Sequence, residues 1–259
     1  MPKLMFQKII KSVLLKTLMF ILLVASQHGA IATDDFGPLK GQVFGTGQKY
    51  VVAFLHGDVS GGGPAKYHES LMRLVAARAK NSTTIALIRP GYDNGQGLKS
   101  PGTNHKRRDQ YTKKNNDLVA QTLQSIRAVY PDSKLVAIGH SGGGAQLGAV
   151  IGRYPGIVDT AFLLSCPCDI KKWRAKHRPF PRSEKQSPIK FAGTIDTKTK
   201  VIAVTGAVDK NTWPALAEAY IAKAKANGVE ASFVSVSGAG HWDRQIEGAF
   251  VKILLKELK

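Results

Sequence analysis

The sequence predicts an α/β protein: a doubly wound, mostly parallel sheet with helices on both faces. Three observations carry this. Short apolar runs without polar alternation, among them Tyr50–Leu55, Leu135 to Ile138 and Val201 to Thr205, read as strands buried on both faces. Between them lie segments whose apolar residues recur at helical spacing. The apolar runs close on glycine-containing turns, at Gly57, Gly91, Gly139, Gly206 and Gly238. Strands alternating with helices along the whole chain leave a sheet covered on both sides as the economical arrangement.

Taken in order, the chain opens with what reads as an export signal. Lys3, Lys8, Lys11 and Lys16 precede the apolar stretch Thr17 to Ala25, and Ala30-Ile31-Ala32 supplies a small-x-small cleavage pattern. That apolar stretch is far shorter than the ~20 residues needed to span a bilayer, so the mature chain, residues 33–259, is expected to be secreted or periplasmic and to lack a transmembrane span. Gly41 to Gly47 reads as a short hairpin arm at a sheet edge. Tyr50–Leu55 runs into the turn His56 to Gly63, and Pro64 is expected to open a helix with Leu71, Leu74, Val75 and Ala79 inward. The strand Thr84 to Ile88 ends at Arg89-Pro90-Gly91-Tyr92, and a polar loop follows. Val119, Leu123, Ile126 and Tyr130 mark one face of a helix that stops at Pro131.

The strand Leu135 to Ile138 leads to a helix from Ala145 to Arg153, then to the strand Ile157 to Leu164 and an irregular stretch, Ser165 to Lys200. Val201 to Thr205 closes on Gly206-Ala207-Val208-Asp209. The helix Trp213 to Asn227 has Pro214 in its first turn and Gly228 just past its end, the usual asymmetry of start and stop. Ser232 to Val236 is the last strand, and Ile246, Phe250, Ile253 and Leu254 make the terminal helix amphipathic. No internal repeat or second domain is visible, so residues 33–259 read as one domain.

The chain of 259 residues carries a formal charge of +19, which favours contact with anionic partners and says nothing of the fold. Cys166 and Cys168 flank Pro167. On an extended chain their Cα atoms lie near the upper limit for a bridge, so the core is expected to hold without a disulfide. No second pair of ligands makes them a metal site, and no phosphate loop, dinucleotide fingerprint or nucleic-acid motif is present. No cofactor or metal is expected.

The chemistry gathers at Gly139-His140-Ser141-Gly142-Gly143, a G-x-S-x-G match in which a strand turns sharply into a helix and lifts the serine clear of the sheet. With an HG turn after an early strand, Asp209 after a later one and Gly238-Ala239-Gly240-His241 after the last, the order of motifs resembles the α/β-hydrolase superfamily. The resemblance covers nearly all of residues 40 to 258. It extends to small secreted serine esterases and to dienelactone-hydrolase-like and peptidase-like members, with no choice among them.

The resemblance implies Ser141 as nucleophile, His241 as general base and Asp209 as the residue that orients the base. A serine hydroxyl is a poor nucleophile until a neutral imidazole takes its proton, and the imidazole needs a carboxylate to fix its tautomer. Asp196 and Asp243 are the competing acids. It also implies an oxyanion hole from the backbone N–H of Gly142 and that of Asp58 or Val59. A carboxylate at Asp58 would oppose a developing negative charge, so its side chain is expected to turn away and bond within its own loop.

The implied activity is cleavage of a carboxylic ester in a small acyl substrate through an acyl-enzyme. A peptidase or amidase, and a catalytically silent binding protein of the same fold, are the alternatives. Residues 165–200 read as a loop-rich cap. Between Lys171 and Lys190 eight basic residues face one acid, Glu184. This is either a solvated face or a field for anionic substrates or an anionic surface.

Overall fold

The computed structural model describes residues 36–259, so the export signal read in residues 1–32 lies outside the described residues. Seven strands, β1 (Gly41–Phe44), β2 (Tyr50–Leu55), β3 (Ser82–Leu87), β4 (Lys134–His140), β5 (Thr160–Leu164), β6 (Lys200–Gly206) and β7 (Ala231–Val236), form one sheet in the order β1-β3-β2-β4-β5-β6-β7. From β3 to β7 every pairing is parallel, and β1 alone runs antiparallel, against β3. Gly41 to Gly47 is therefore not a hairpin arm. Both sides of β2 are taken by β3 and β4, which leaves β1 only the outer edge.

The helices are α1 (Tyr67–Arg78), α2 (Lys113–Val129), α3 (Gly142–Arg153), the short α4 (Ile170–Trp173) and α5 (Pro181–Lys185), α6 (Pro214–Ala226) and α7 (Arg244–Glu257). All six residues of β2 are buried, and successive side chains point to opposite faces. Val51, Ala53 and Leu55 pack with residues of α2, α3 and α6, whereas Val52 and Phe54 pack with α1 and α7. The sheet thus separates two apolar layers, which is why the interiors of its central strands are apolar. Each fully buried Val, Leu or Phe contributes on the order of 1.5–3 kcal/mol.

Helix α1 buries Leu71 and Val75 as expected but differs elsewhere. It starts at Tyr67 rather than Pro64, its buried face is His68, Leu71, Met72 and Val75, and Leu74 is 36 % exposed. A buried histidine takes a core position. His68 Nε2 lies 2.9 Å from Leu87 O, and burial pushes the imidazole down to about 4.

A stability change with pH follows. An unfolded histidine binds a proton near pH ~6.5, whereas folded His68 does not until about 4, so the unfolded chain gains protons first on acidification. The stabilisation is complete above ~6.5 and is lost as pH falls toward the folded value, by roughly 2 to 3 kcal/mol between these limits. Urea unfolding should show this loss in the wild-type protein and a flatter curve in His68→Gln. Equal slopes would assign the acid sensitivity elsewhere.

The expectation about the cysteines is also corrected: Cys166 and Cys168 are joined, with Cα atoms 5.1 Å apart. The chain is not extended here, because two residues of extended strand would span ~6.5 Å. The separation of two Cα atoms that flank one residue is set by that residue's own φ and ψ, so the bend that draws the cysteines together lies at Pro167. Both are buried in the layer that contains α3.

The stretch read as irregular contains α4, α5 and two single 3-10 turns, Pro188–Lys190 and Ala192–Thr194. Trp173 and Phe180 from this stretch pack with Tyr111, Ala145, Ile170 and Leu216 in a small apolar cluster of their own.

Candidate active site

Ser141 stands between the last residue of β4 and the first of α3, with φ of +51° and ψ of −116°. Positive φ is uncommon for a residue with a Cβ. The conformation is held by its own N–H donating to Leu164 O at 2.8 Å and by Ala145 N–H donating to Ser141 O at 3.0 Å. The two outer glycines of the motif are sterically required. A Cβ on Gly139 would stand 2.5 Å from Gly143 O, and one on Gly143 would stand 2.2 Å from Leu55 O.

The structure brings Ser141, His241 and Asp209 together at the carboxyl edge of the sheet. His241 Nε2 is 2.9 Å from Ser141 Oγ, and His241 Nδ1 is 2.9 Å from Asp209 Oδ2. Oδ1 of Asp209 accepts the N–H groups of Asn211 at 2.8 Å and Thr212 at 2.9 Å. Thr212 Oγ1 is 2.8 Å from Oδ2. Burial alone would raise the Asp209 carboxyl, but hydrogen bonds from His241 and Thr212 bring it down to about 2. The aspartate is therefore a carboxylate throughout the range where an imidazole can act as base. On the far side, Ser165 Oγ donates to His241 O at 2.7 Å and fixes the backbone of the histidine loop.

The competing acids have other duties. Asp243 caps α7 through Gln245 N and Ile246 N, and Asp196 accepts from Lys198 N.

The turn after β2 departs from its expectation. The Asp58 carboxylate does not bond within its own loop: Oδ1 accepts from Arg89 Nη1 at 2.9 Å, and Oδ2 accepts from Tyr111 OH at 2.5 Å. Arg89 is 1 % exposed and also donates through Nε to Gln146 Oε1 and through Nη1 to His56 O. The negative charge beside Ser141 is thus offset by a buried cation. Gly142 abuts this pair, since a Cβ there would lie 1.9 Å from Asp58 Oδ1. As the first residue of α3, Gly142 has a backbone N–H without an intrahelical acceptor.

A second tie joins the turn to the elbow. Gly57 N–H donates to Tyr67 OH, whose hydroxyl donates to His140 Nδ1, each at 2.6 Å. Burial, and then the charge of nearby His241, holds the His140 imidazole well below its usual range, so it is neutral and accepts that bond.

A cleft of ≈ 760 Å³ opens over these groups, bordered by Asp58, Val59, Ser141 and His241 and closed on one side by Trp173 and Phe180. Trp242 lines it, with its ring 4.3 Å from that of His140, whereas Trp213 is outside and borders a separate hollow. Among the described residues no group of three or more His, Cys, Asp or Glu is placed to hold a metal ion, and no helix is long and apolar enough to cross a membrane. Sequence reasoning did not assign Arg89, Tyr111, Tyr67 or Thr212. Arg89 had a signal, since an arginine at the end of an apolar strand must either leave the sheet or be paired. The other three had none.

The profile of the prolyl oligopeptidase family matches residues 94–252. No curated protein matches the sequence significantly. Among solved structures, the chain is similar to a monoacylglycerol lipase from Paleococcus ferrophilus, at 17% identity and TM-score 0.64, covering 85% of this chain and 98% of that one. It is also similar to esterase PE8, at 16% identity and TM-score 0.64, covering 86% and 100%. An acylaminoacyl peptidase from Pyrococcus horikoshii matches at 14% identity and TM-score 0.64, but the match covers 88% of this chain and only 40% of that one. At these identities the likeness is one of fold.

Proposed function

The chain belongs to the prolyl oligopeptidase family, within the α/β-hydrolase superfamily, and is a serine hydrolase; on that footing we propose that it cleaves a carboxylic ester through Ser141, His241 and Asp209. The observation that carries the reading is the unbroken relay, 2.9 Å from serine to imidazole and 2.9 Å from imidazole to carboxylate. In the first step Ser141 Oγ attacks the carbonyl carbon while His241 Nε2 takes its proton. The oxyanion that forms is met by the N–H of Gly142 and by that of Asp58 or Val59. His241 then returns the proton to the leaving alcohol, and the acyl group remains on Ser141. Water, deprotonated by the same imidazole, repeats the sequence and frees the acid.

An ester is favoured over an amide because the chain matches the lipase and the esterase over nearly their full lengths, and the peptidase over two fifths of its own. Family membership keeps amide cleavage as the second reading. In this proposal the export signal in residues 1–32 puts the enzyme outside the cytoplasm, and the Cys166–Cys168 bridge fits an oxidising compartment.

Fluorophosphonate labelling followed by peptide mapping tests the mechanism. Modification should fall on Ser141 in the folded protein and be absent from His241→Ala. Labelling on another residue, or none on folded wild-type protein, would remove the nucleophile from this account.

A further inference from the structure

The cleft over Ser141 is basic in a way the relay does not need. Lys106 and Arg108 reach it from the loop before α2, and Arg174 and Arg178 reach it from the stretch after β5. A second hollow of ≈ 740 Å³ adjoins it and shares Lys106, Arg108, Arg178 and Phe180 as a common wall, and Arg182 lines the second hollow alone. Among the described residues none of these five cations forms an ion pair with a carboxylate. The nearby acids are already engaged. Asp58 is bonded to Arg89 and Tyr111, and Asp109 accepts the backbone N–H groups of Arg182 and Ser183.

Two further features set this apart from a merely solvated basic face. The cations come from segments some 70 residues apart in sequence and converge on the hollow that holds the nucleophile. The loop that presents Lys106 also runs through three successive left-handed residues, His105, Lys106 and Arg107, with φ of +46°, +57° and +61°. Such backbone is costly for residues with a Cβ and persists only where the surroundings impose it. Here Arg107 supplies the restraint, donating to Val59 O and Gly63 O, which leaves its neighbours Lys106 and Arg108 directed at the cleft.

We propose that the two adjoining hollows form one substrate site, in which the scissile ester lies at Ser141 and an anionic group of the same molecule, a phosphate or carboxylate, is held by Lys106, Arg108 and Arg178. This rests on the serine hydrolase reading and names its substrate class. Guanidinium forks match both oxyanions in geometry, and several converging cations suit a group with more than one negative oxygen.

The test compares matched esters. Mono-p-nitrophenyl glutarate against p-nitrophenyl butyrate places the charge on the acyl side, and para-acetoxybenzoate against para-tolyl acetate places it on the leaving side. At low ionic strength one charged ester should exceed its neutral partner in kcat/KM by about tenfold or more, and the advantage should collapse in about 1 M salt, where the Debye length is ~3 Å. Arg108→Gln and Arg178→Gln should each lower that ratio several-fold. Lys171→Gln, which removes a charge outside both hollows, should leave it unchanged.

Protection of Ser141 from fluorophosphonate by glycerol phosphate, by succinate and by glycerol separates phosphate from carboxylate recognition without relying on turnover. Neutral esters hydrolysed as fast as charged ones, together with no protection by either anion, would overturn the proposal and leave the hydrolase reading intact. A ratio lowered equally by Lys171→Gln would overturn it too, by showing that net charge alone acts. Loss of the hydrolase reading is seen separately, as turnover that survives Ser141→Ala.

Discussion

Ester turnover should fall by at least ~10⁴-fold in Ser141→Ala and, separately, in His241→Ala, with folding intact in both. The losses should be similar because nucleophile and base act as one unit: the hydroxyl is inert without the imidazole 2.9 Å away, and the imidazole has no nucleophile to activate without the hydroxyl. The residual rate comes from binding and from the oxyanion donors, which neither change removes. Alanine at position 141 keeps the Cβ and adopts the same φ of +51°, so the elbow is not relaxed by the substitution. Near-wild-type hydrolysis of a p-nitrophenyl ester by Ser141→Ala would end the mechanism. Asp209→Asn is expected to be severe as well, since an amide cannot accept from Nδ1–H and also stabilise the imidazolium as a carboxylate does.

The second large effect is on stability and lies behind the site. Arg89→Met should destabilise the fold by about 3 kcal/mol or more, because it leaves the Asp58 carboxylate, 12 % exposed, without its cation and strips Gln146 Oε1 of its donor. Chemical or thermal unfolding reads this directly. The same change should reduce turnover in whatever protein remains folded, since an uncompensated carboxylate against Gly142 opposes the oxyanion. Removing the charge at both positions, as in Arg89→Met with Asp58→Leu, should recover much of the lost stability, because an absent pair costs far less than half of one. If Arg89→Met were as stable as the wild type, the ion pair would have no structural part.

The central strands were legible because a strand buried on both faces is apolar along its interior, as β2 is throughout, β4 from Leu135 to Ile138 and β6 from Val201 to Val204. Ser141 and Asp209 were legible because each follows such a strand at a glycine turn, whereas His241 follows β7, a partly exposed edge strand, and was marked by its glycine turn alone. What stayed hidden depends on tertiary placement. The inward face of helix α1 was legible at Leu71 and Val75 but not at His68, which counts as polar in sequence yet is fully buried in the core. The bridge between Cys166 and Cys168 turned on the backbone bend at Pro167, since a proline fits an extended chain and a turn equally well. Asp58 was understood as a charge that had to be dealt with, but its partners, Arg89 and Tyr111, lie 31 and 53 positions away and are brought to it by the fold. The cap residues were legible as a basic stretch. Their convergence with Lys106 and Arg108 was not, because no local pattern links the two loops.

The relay spans the sheet in a way that bears on how the chain acquires its structure. Ser141 follows β4, Asp209 follows β6 and His241 follows β7, and the serine and histidine are 100 positions apart. Each parallel strand needs a crossover before it can pair, so these are contacts of large sequence separation, whose loop-closure entropy is met before the contacts form. Collapse of the sheet's central strands can therefore precede any catalytic competence, and β7 must dock on β6 before His241 meets Ser141. Recovered activity in a refolding chain reports on that last docking, while secondary-structure signals report on strands that pair without it.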